Sequence, residues 1–156
     1  MKTKQKYVAG FMFDKSMSNV ALIRKNKPDW QAGLLNGIGG KVEYGESSKS
    51  AMVREFKEEA GMNTSETIWI NFCSMSGINN DNSRFGIEFF FCIGDPNKLN
   101  SMELEQIKVF PAADIAAGKE KTIGNLQWLI ALALDFGKGT YPPSKVNAFY
   151  FTDKKL

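Results

Sequence analysis

Between Gly40 and Met62 the chain reads GKVEYGESSKSAMVREFKEEAGM, and this stretch holds the residues best suited to chemistry. Glu55, Glu58 and Glu59 stand at i, i+3 and i+4, so a helix over Ser47–Ala60 sets all three on one face. Like charges at that spacing repel and weaken a helix, so the cluster calls for a counter-ion. Oxygen-only ligands suit a hard divalent cation, Mg2+ first and Mn2+ as the alternative. Taken alone, Arg54-Glu55-Phe56-Lys57-Glu58-Glu59 also fits a solvated helix face neutralised by Arg54 and Lys57. The whole constellation, with a glycine loop before it and Glu46 at a fixed offset, favours a site.

The chain contains no histidine. Triads with a His base, His-ligated zinc and imidazole acid–base chemistry are therefore excluded. Proton transfer falls to Asp, Glu, Lys, Tyr or Cys, or to metal-bound water.

The elements that must position these groups follow from pattern. Lys6–Asp14 and Asn19–Arg24 read as strands joined by a hairpin turn, and Lys25–Gly33 as a loop. Trp30 in that loop either covers a ligand or caps the edge of the core. Leu34–Val42 holds Gly37, Gly39 and Gly40, which permit positive φ and close backbone approach to a ligand or metal. Ser47 or Ser48 serves as helix N-cap and Gly61 as C-cap, while Ala51, Met52, Val53 and Phe56 form a stripe that docks on a sheet. Thr67–Met75 is the next strand, Ser76–Ser83 a loop, and Arg84–Gly94 a strand whose Phe89-Phe90-Phe91 predicts burial on both faces. Glu105–Phe110 reads as a short edge strand, Pro111–Ile115 as a helical turn, and Asn125–Phe136 as a helix that Gly137 ends. Thr140–Pro143 breaks the chain, and Val146–Phe151 adds a last strand. Strands and helices in this order predict a mixed sheet with helices on its faces, an α/β class.

At 156 residues the chain fits one domain, expected over 1–156. Hydrophobic residues at 43% and charged residues at 24% are ordinary for a globular protein. The net charge of +3 is too mild to point to nucleic acid or membrane, and Lys2, Lys4, Lys6 and Asp153-Lys154-Lys155-Leu156 read as solvated ends. Cys73 and Cys92 lie in apolar runs, which favours buried free thiols over a disulfide. MKTKQKYVAG has no apolar leader segment, and no apolar run is long enough to span a bilayer, so the expected location is cytoplasmic.

Gly40-x5-Glu46-x7-Arg54-Glu55-Phe56-x-Glu58-Glu59-x-Gly61-Met62 resembles the complete Nudix box. Every charged and glycine position is filled, and the one departure is Phe56, where that family usually has an aliphatic residue. The resemblance implies an α/β/α sandwich and a divalent-metal hydrolase of nucleotide pyrophosphate bonds. It assigns Glu55, Glu58 and Glu59 to metal, with the Gly39 carbonyl as a further ligand. Arg54 then orients the carboxylates, Glu46 assists through metal-bound water or by steadying the loop, and Gly40 and Lys41 meet a phosphate. In MutT-like members a downstream glutamate is the general base or binds another metal, and Glu103 and Glu105 are the two candidates here.

Asn36-Gly37-Ile38-Gly39-Gly40-Lys41-Val42-Glu43 resembles the run found in MutT-like and 8-oxo-dGTP diphosphatase members. Asn36 is accordingly a candidate base reader or a turn residue before glycine. Asn125 lies near where related enzymes place acidic base-reading residues, or else it is a helix N-cap. The acidic pair itself is missing, as are the proline of ADP-ribose pyrophosphatases, the tyrosine of diadenosine polyphosphate hydrolases and the NADH-type motif. The expected substrate is a small nucleotide, most simply a nucleoside triphosphate. A nucleoside diphosphate linked to another moiety and a non-catalytic nucleotide sensor stay open. Homodimers are common among such enzymes, and a homodimer is accordingly possible.

Overall fold

The computed structural model describes residues 4–139 and 145–151. A mixed seven-stranded sheet is built from β1 (Gln5–Phe13), β2 (Asn19–Arg24), β3 (Leu35–Asn36), β4 (Ile70–Ile78), β5 (Arg84–Ile93), β6 (Gln106–Pro111) and β7 (Val146–Phe151). Its order is β3-β2-β1-β5-β4-β7, and β6 also pairs with β2. β1 and β5 run parallel, as do β4 and β7, and the remaining pairs are antiparallel.

The phenylalanine run of β5 explains the layering. Side chains alternate across a strand, so Phe89 and Phe91 enter one core with Phe11, Phe13 and Phe72, while Phe90 and Cys92 enter another. The first core lies under α2 (Ala112–Ala116) and α3 (Leu126–Gly137), the second under α1 (Ser48–Ala60). Helices thus cover both faces, and the architecture is the expected α/β/α sandwich. α1 seats Ala51, Met52, Phe56 and Ala60 on the sheet, where Phe56 meets Trp69 edge-on at 5.0 Å. Cys73 and Cys92 are free, buried and assigned to opposite cores.

Several expectations change. The fourth strand covers Ile70–Ile78, three residues later than Thr67–Met75, because Thr67 lies in a short 3-10 turn and Ser76–Ile78 pair with both β5 and β7. Polar residues hide that pairing in the sequence. Gly137 is the last residue of α3 and not a left-handed cap beyond it. A Cβ there would fall 2.3 Å from Met17 Sδ, so this glycine serves close packing, while Gly139 takes the positive φ of 66°. Trp30 is 70% exposed and does not cap the core. The break at Thr140–Pro143, Lys2 and the segment Asp153–Leu156 fall outside the described residues. No helix among the described residues is long and apolar enough to cross a membrane.

Phe56 is fully buried and anchors α1 on Trp69. Phe56→Ala is expected to cost about 3–5 kcal/mol by cavity formation, whereas Phe56→Leu nearly conserves volume and should cost less than about 1.5 kcal/mol. Urea denaturation of the two variants measures the difference; equal losses would show that Phe56 does not anchor the helix.

Candidate active site

The glycine loop pairs with β1 rather than standing free. Gly10 N–H donates to the Ile38 carbonyl at 2.7 Å, and Val8 N–H donates to that of Gly40 at 2.9 Å. A Cβ on Gly39 would sit 2.1 Å from the Val8 carbonyl oxygen, and one on Gly40 would sit 2.5 Å from the Glu55 carboxylate. Gly37, Gly39 and Gly40 are not among the positive-φ residues, so their purpose is close approach and not unusual backbone. The loop then turns at Gly45, which does take φ +80°, and enters α1 at Ser47. Ser47 Oγ accepts from Ser50 N–H, and Gly61 closes the helix in left-handed backbone.

Arg54 organises the acids. Its guanidinium donates from Nε to Glu46 Oε1 at 2.9 Å and from Nη2 to Glu46 Oε2 at 3.1 Å, a bidentate pair. Nη1 reaches Glu55 at 2.9 Å and Glu58 at 3.2 Å, and Nη2 also reaches the Lys41 carbonyl at 2.9 Å. Glu46 Oε2 in turn accepts from Glu43 N–H at 2.9 Å, which ties the turn to the helix. The Arg54 bonds hold the Glu46 carboxyl below its ordinary pKa, and those carboxylates push the guanidinium upward. Lys41 itself is exposed at the loop's end.

Glu59 lies outside that network. It is buried, with Oε2 accepting from Gly39 N–H at 3.1 Å. Burial pushes its pKa up to about 7, against the opposing charge of Lys25, while Glu55 and Glu103 add to the rise. Burial likewise raises Glu55, with Arg54 opposing. Among the described residues no three acidic side chains close into a ready-made metal cage. Arg54 draws Glu55 and Glu58 toward itself while Gly39 holds Glu59. The donor set nevertheless fits a hard cation, being all oxygen. Glu55 lies where a Cβ on residue 40 would be, and the Gly39 carbonyl accepts no hydrogen bond among the described residues. Glu55, Glu58, Glu59 and that carbonyl would hold a divalent ion.

The two downstream acids part company. Residues 100–105 dock on the end of α1, with Asn100 N–H on the Ala60 carbonyl and Met102 N–H on that of Glu59, both at 3.1 Å. Glu103 is exposed there and near enough to Glu59 to affect its ionisation. Glu105 is buried, and its oxygens take Lys25 Nζ at 2.6 Å and Asn26 N–H. Burial raises its pKa, but these bonds and the Lys25 charge outweigh that and hold it low. A carboxylate so occupied is a weaker proton acceptor than one without such partners.

Asn36 Oδ1 accepts from Gly37 N–H at 2.7 Å, and Nδ2 donates to Gln31 Oε1 at 3.1 Å. Its amide is thereby oriented as a turn-capping group with Nδ2 toward Gln31. Asn125 precedes α3 but makes no side-chain cap; Oδ1 is buried without a partner and Nδ2 lies 4.0 Å from Met75 Sδ. Ile123 N–H donates to the Leu35 carbonyl, which brings the approach to α3 alongside β3 and Asn36. A polar cavity of about 360 Å3 lies apart from the carboxylates, lined in part by Lys4, Lys6, Ser48, Ser74, Glu88 and Lys145. Glu88, an acid of that lining, is already engaged by Ser74, Asn71 and Lys145. Sequence reasoning missed Lys25 and Gln31, for which no local signal existed.

A glycine loop laid against Glu55 and Glu59 of α1 on an α/β/α sandwich fits a pyrophosphohydrolase of Nudix type. A family model of the NUDIX domain matches residues 3–129, and the chain belongs to that family. Among solved structures, a MutT from a study of Aliivibrio salmonicida and Vibrio cholerae is 25% identical with a TM-score of 0.67, covering 86% of this chain and 100% of its own. The mutator MutT protein of Bacillus halodurans is 17% identical with a TM-score of 0.73, covering 96% and 91%. The NUDIX domain of Shewanella oneidensis NrtR, solved with ADP ribose, is 15% identical with a TM-score of 0.71, covering 86% and 89%. A search of curated proteins returned no match.

The raised pKa of Glu59 makes a stability prediction. The folded state holds this proton more tightly than the unfolded one, whose value is near 4.5. The stabilisation is therefore fully present below about pH 4.5 and is lost as pH rises through about 7. In chelator, melting temperature should fall over that window, and Glu59→Gln should flatten the fall. An unchanged pH profile in the variant would count against the shift.

Proposed function

We propose that the protein is a Mg2+-dependent nucleoside triphosphate pyrophosphohydrolase, taking a (d)NTP such as dGTP or 8-oxo-dGTP to the monophosphate and pyrophosphate. The supporting observation is the Arg54-centred carboxylate cluster laid against Gly39 and Gly40. Water adds to phosphorus, the anhydride bond breaks, and pyrophosphate leaves with the bonding electron pair. A divalent ion, Mg2+ or Mn2+, supplies charge neutralisation, phosphate orientation and water activation when bound. Arg54 sets the direction of Glu55 and Glu58, a positioning part that metal sites commonly need. Glu46 steadies the turn through Glu43 N–H. Glu103 is the preferred candidate to accept a proton from the attacking water, since Glu105 is engaged by Lys25 and Asn26. Lys41, following Gly40, meets a phosphate oxygen, and Asn36 with Asn125 contacts the base. We assign the protein to the cytoplasm, where buried thiols such as Cys73 and Cys92 stay reduced.

A nucleotide panel assayed with Mg2+ tests this reading by product identity. Pyrophosphate from dGTP or 8-oxo-dGTP is the expected result. Turnover only of nucleoside diphosphates linked to a sugar or second nucleoside would shift the substrate class. No turnover of any nucleotide by folded protein would sink the catalytic reading. Glu58→Gln should lower kcat by at least about 100-fold with an unchanged melting profile, since Glu58 is 53% exposed. A fully active Glu58→Gln would refute its place in the metal site.

A further inference from the structure

The sheet face under α1 is apolar only as far as the helix covers it. Val8 and Phe90 enter the core beneath α1. Alternation carries Lys6 and Lys4, earlier on the chain, to the same face as Val8, and Gly86 and Glu88 to the same face as Phe90. The register sets Lys6 opposite Gly86, Gly86 opposite Ser76, Glu88 opposite Ser74 and Ser74 opposite Asn147. A polar strip thus crosses four strands, meets Ser48 in the first turn of α1, and lines the cavity of about 360 Å3. Glycine inside a strand weakens it and often marks a close approach. A Cβ on Gly86 would fall 2.8 Å from Lys4 Cε and 3.2 Å from Lys4 Nζ, so the missing side chain lets Lys4 lie across the sheet. Lys145 Nζ donates to Glu88 Oε2 at 2.9 Å, and the same oxygen accepts from Ser74 and Asn71. Glu88 is thereby spent, and among the described residues neither Lys4 nor Lys6 has an acidic partner.

We propose that this cavity binds a small phosphate-bearing anion, held by the Lys4 and Lys6 ammonium groups with Ser48 at the start of α1. Lysine meets phosphate as a point charge, and the positive end of the helix dipole adds to the attraction. A bounded cavity and a net charge of only +3 favour a small molecule over a nucleic-acid backbone. The site is separate from the candidate active site. Ser48 precedes Glu55 and Glu59 by about 10 and 16 Å along the helix axis. Asn125 lies by Met75 Sδ, which belongs to the core on the other face of the sheet. Seated in the cavity, the anion bridges the start of β1 to the start of α1 and stabilises the folded state by mass action.

An NMR titration of the backbone amides with inorganic phosphate, in chelator and at constant ionic strength, tests the site position by position. Saturable shifts are expected at Ser48, Ser74, Ser76 and Gly86, with the amides of Gly39, Glu55 and Glu59 unmoved. No saturable shift, or shifts confined to those last three, would overturn the proposal. Replacing both lysines, Lys4→Met with Lys6→Met, should weaken binding at least about tenfold. Gly86→Ala, which crowds Lys4, should weaken it about threefold. Unchanged affinity in either variant would overturn the proposal, and if the lysine variant does not fold by circular dichroism, Gly86→Ala decides. In phosphate-free buffer the lysine variant should turn over nucleotide within about twofold of wild type. A larger loss would place these lysines in the active site and end the claim of a separate one. A protein that binds phosphate in the cavity but turns over no nucleotide defeats the catalytic reading alone.

Discussion

The Arg54 guanidinium is the interaction on which the site depends. Three glutamates within two turns of one helix repel each other, and Glu46 on the approach adds a fourth charge. Arg54 answers Glu46, Glu55 and Glu58 from one planar fork and still reaches the Lys41 carbonyl. A lysine could not, because a point ammonium lacks the rigid fork that grips Glu46 with two nitrogens. The same fork ties the glycine loop to the helix, so the positions of Gly40 and Glu55 are set together. The spacing of the motif follows from this: Glu46 must stand far enough before Arg54 for the turn at Gly45 to fold back.

The acids around this centre fall into two electrostatic kinds. Glu46 and Glu105 are held ionised by firm partners, Arg54 and Lys25. Glu55 and Glu59 are pushed the other way by burial. Groups of the second kind gain most from an added cation, since each pays a desolvation cost that its present partners do not offset. Glu58 is the exposed member and completes the face toward solvent.

The sequence made the local features legible. Ser47, Gly61, the buried stripe of α1 and the two-faced Phe89-Phe90-Phe91 run all rest on interactions within a few residues or on simple alternation. What remained hidden depends on partners far along the chain. Lys25 meets Glu105 across 80 positions, and only the pairing of β2 with β6 brings them together. Ser76–Ile78 look like loop because their pairing with β7 leaves no apolar signature. Gly37, Gly39, Gly40 and Gly137 announce a backbone need, but composition does not tell positive φ from close approach. Contacts with Phe11, Val8, Glu55 and Met17 decide for close approach.

The division between reaction and substrate has a structural cause. Apart from Glu103, the residues proposed for the reaction lie on one loop and one helix, so a short segment carries most of them. The other candidate residues come from separate segments that meet through the sheet: Gln31 after β2, Asn36 on β3, Glu103 before β6, and Asn125 before α3. Two backbone junctions hold these segments in place, Met102 and Asn100 on the end of α1, and Ile123 on Leu35. A change in either junction would move these segments while leaving the Arg54 hydrogen bonds intact. The candidate base contacts thus rest on the sheet and its loops, and the candidate metal ligands on the helix, so a change in one set need not disturb the other.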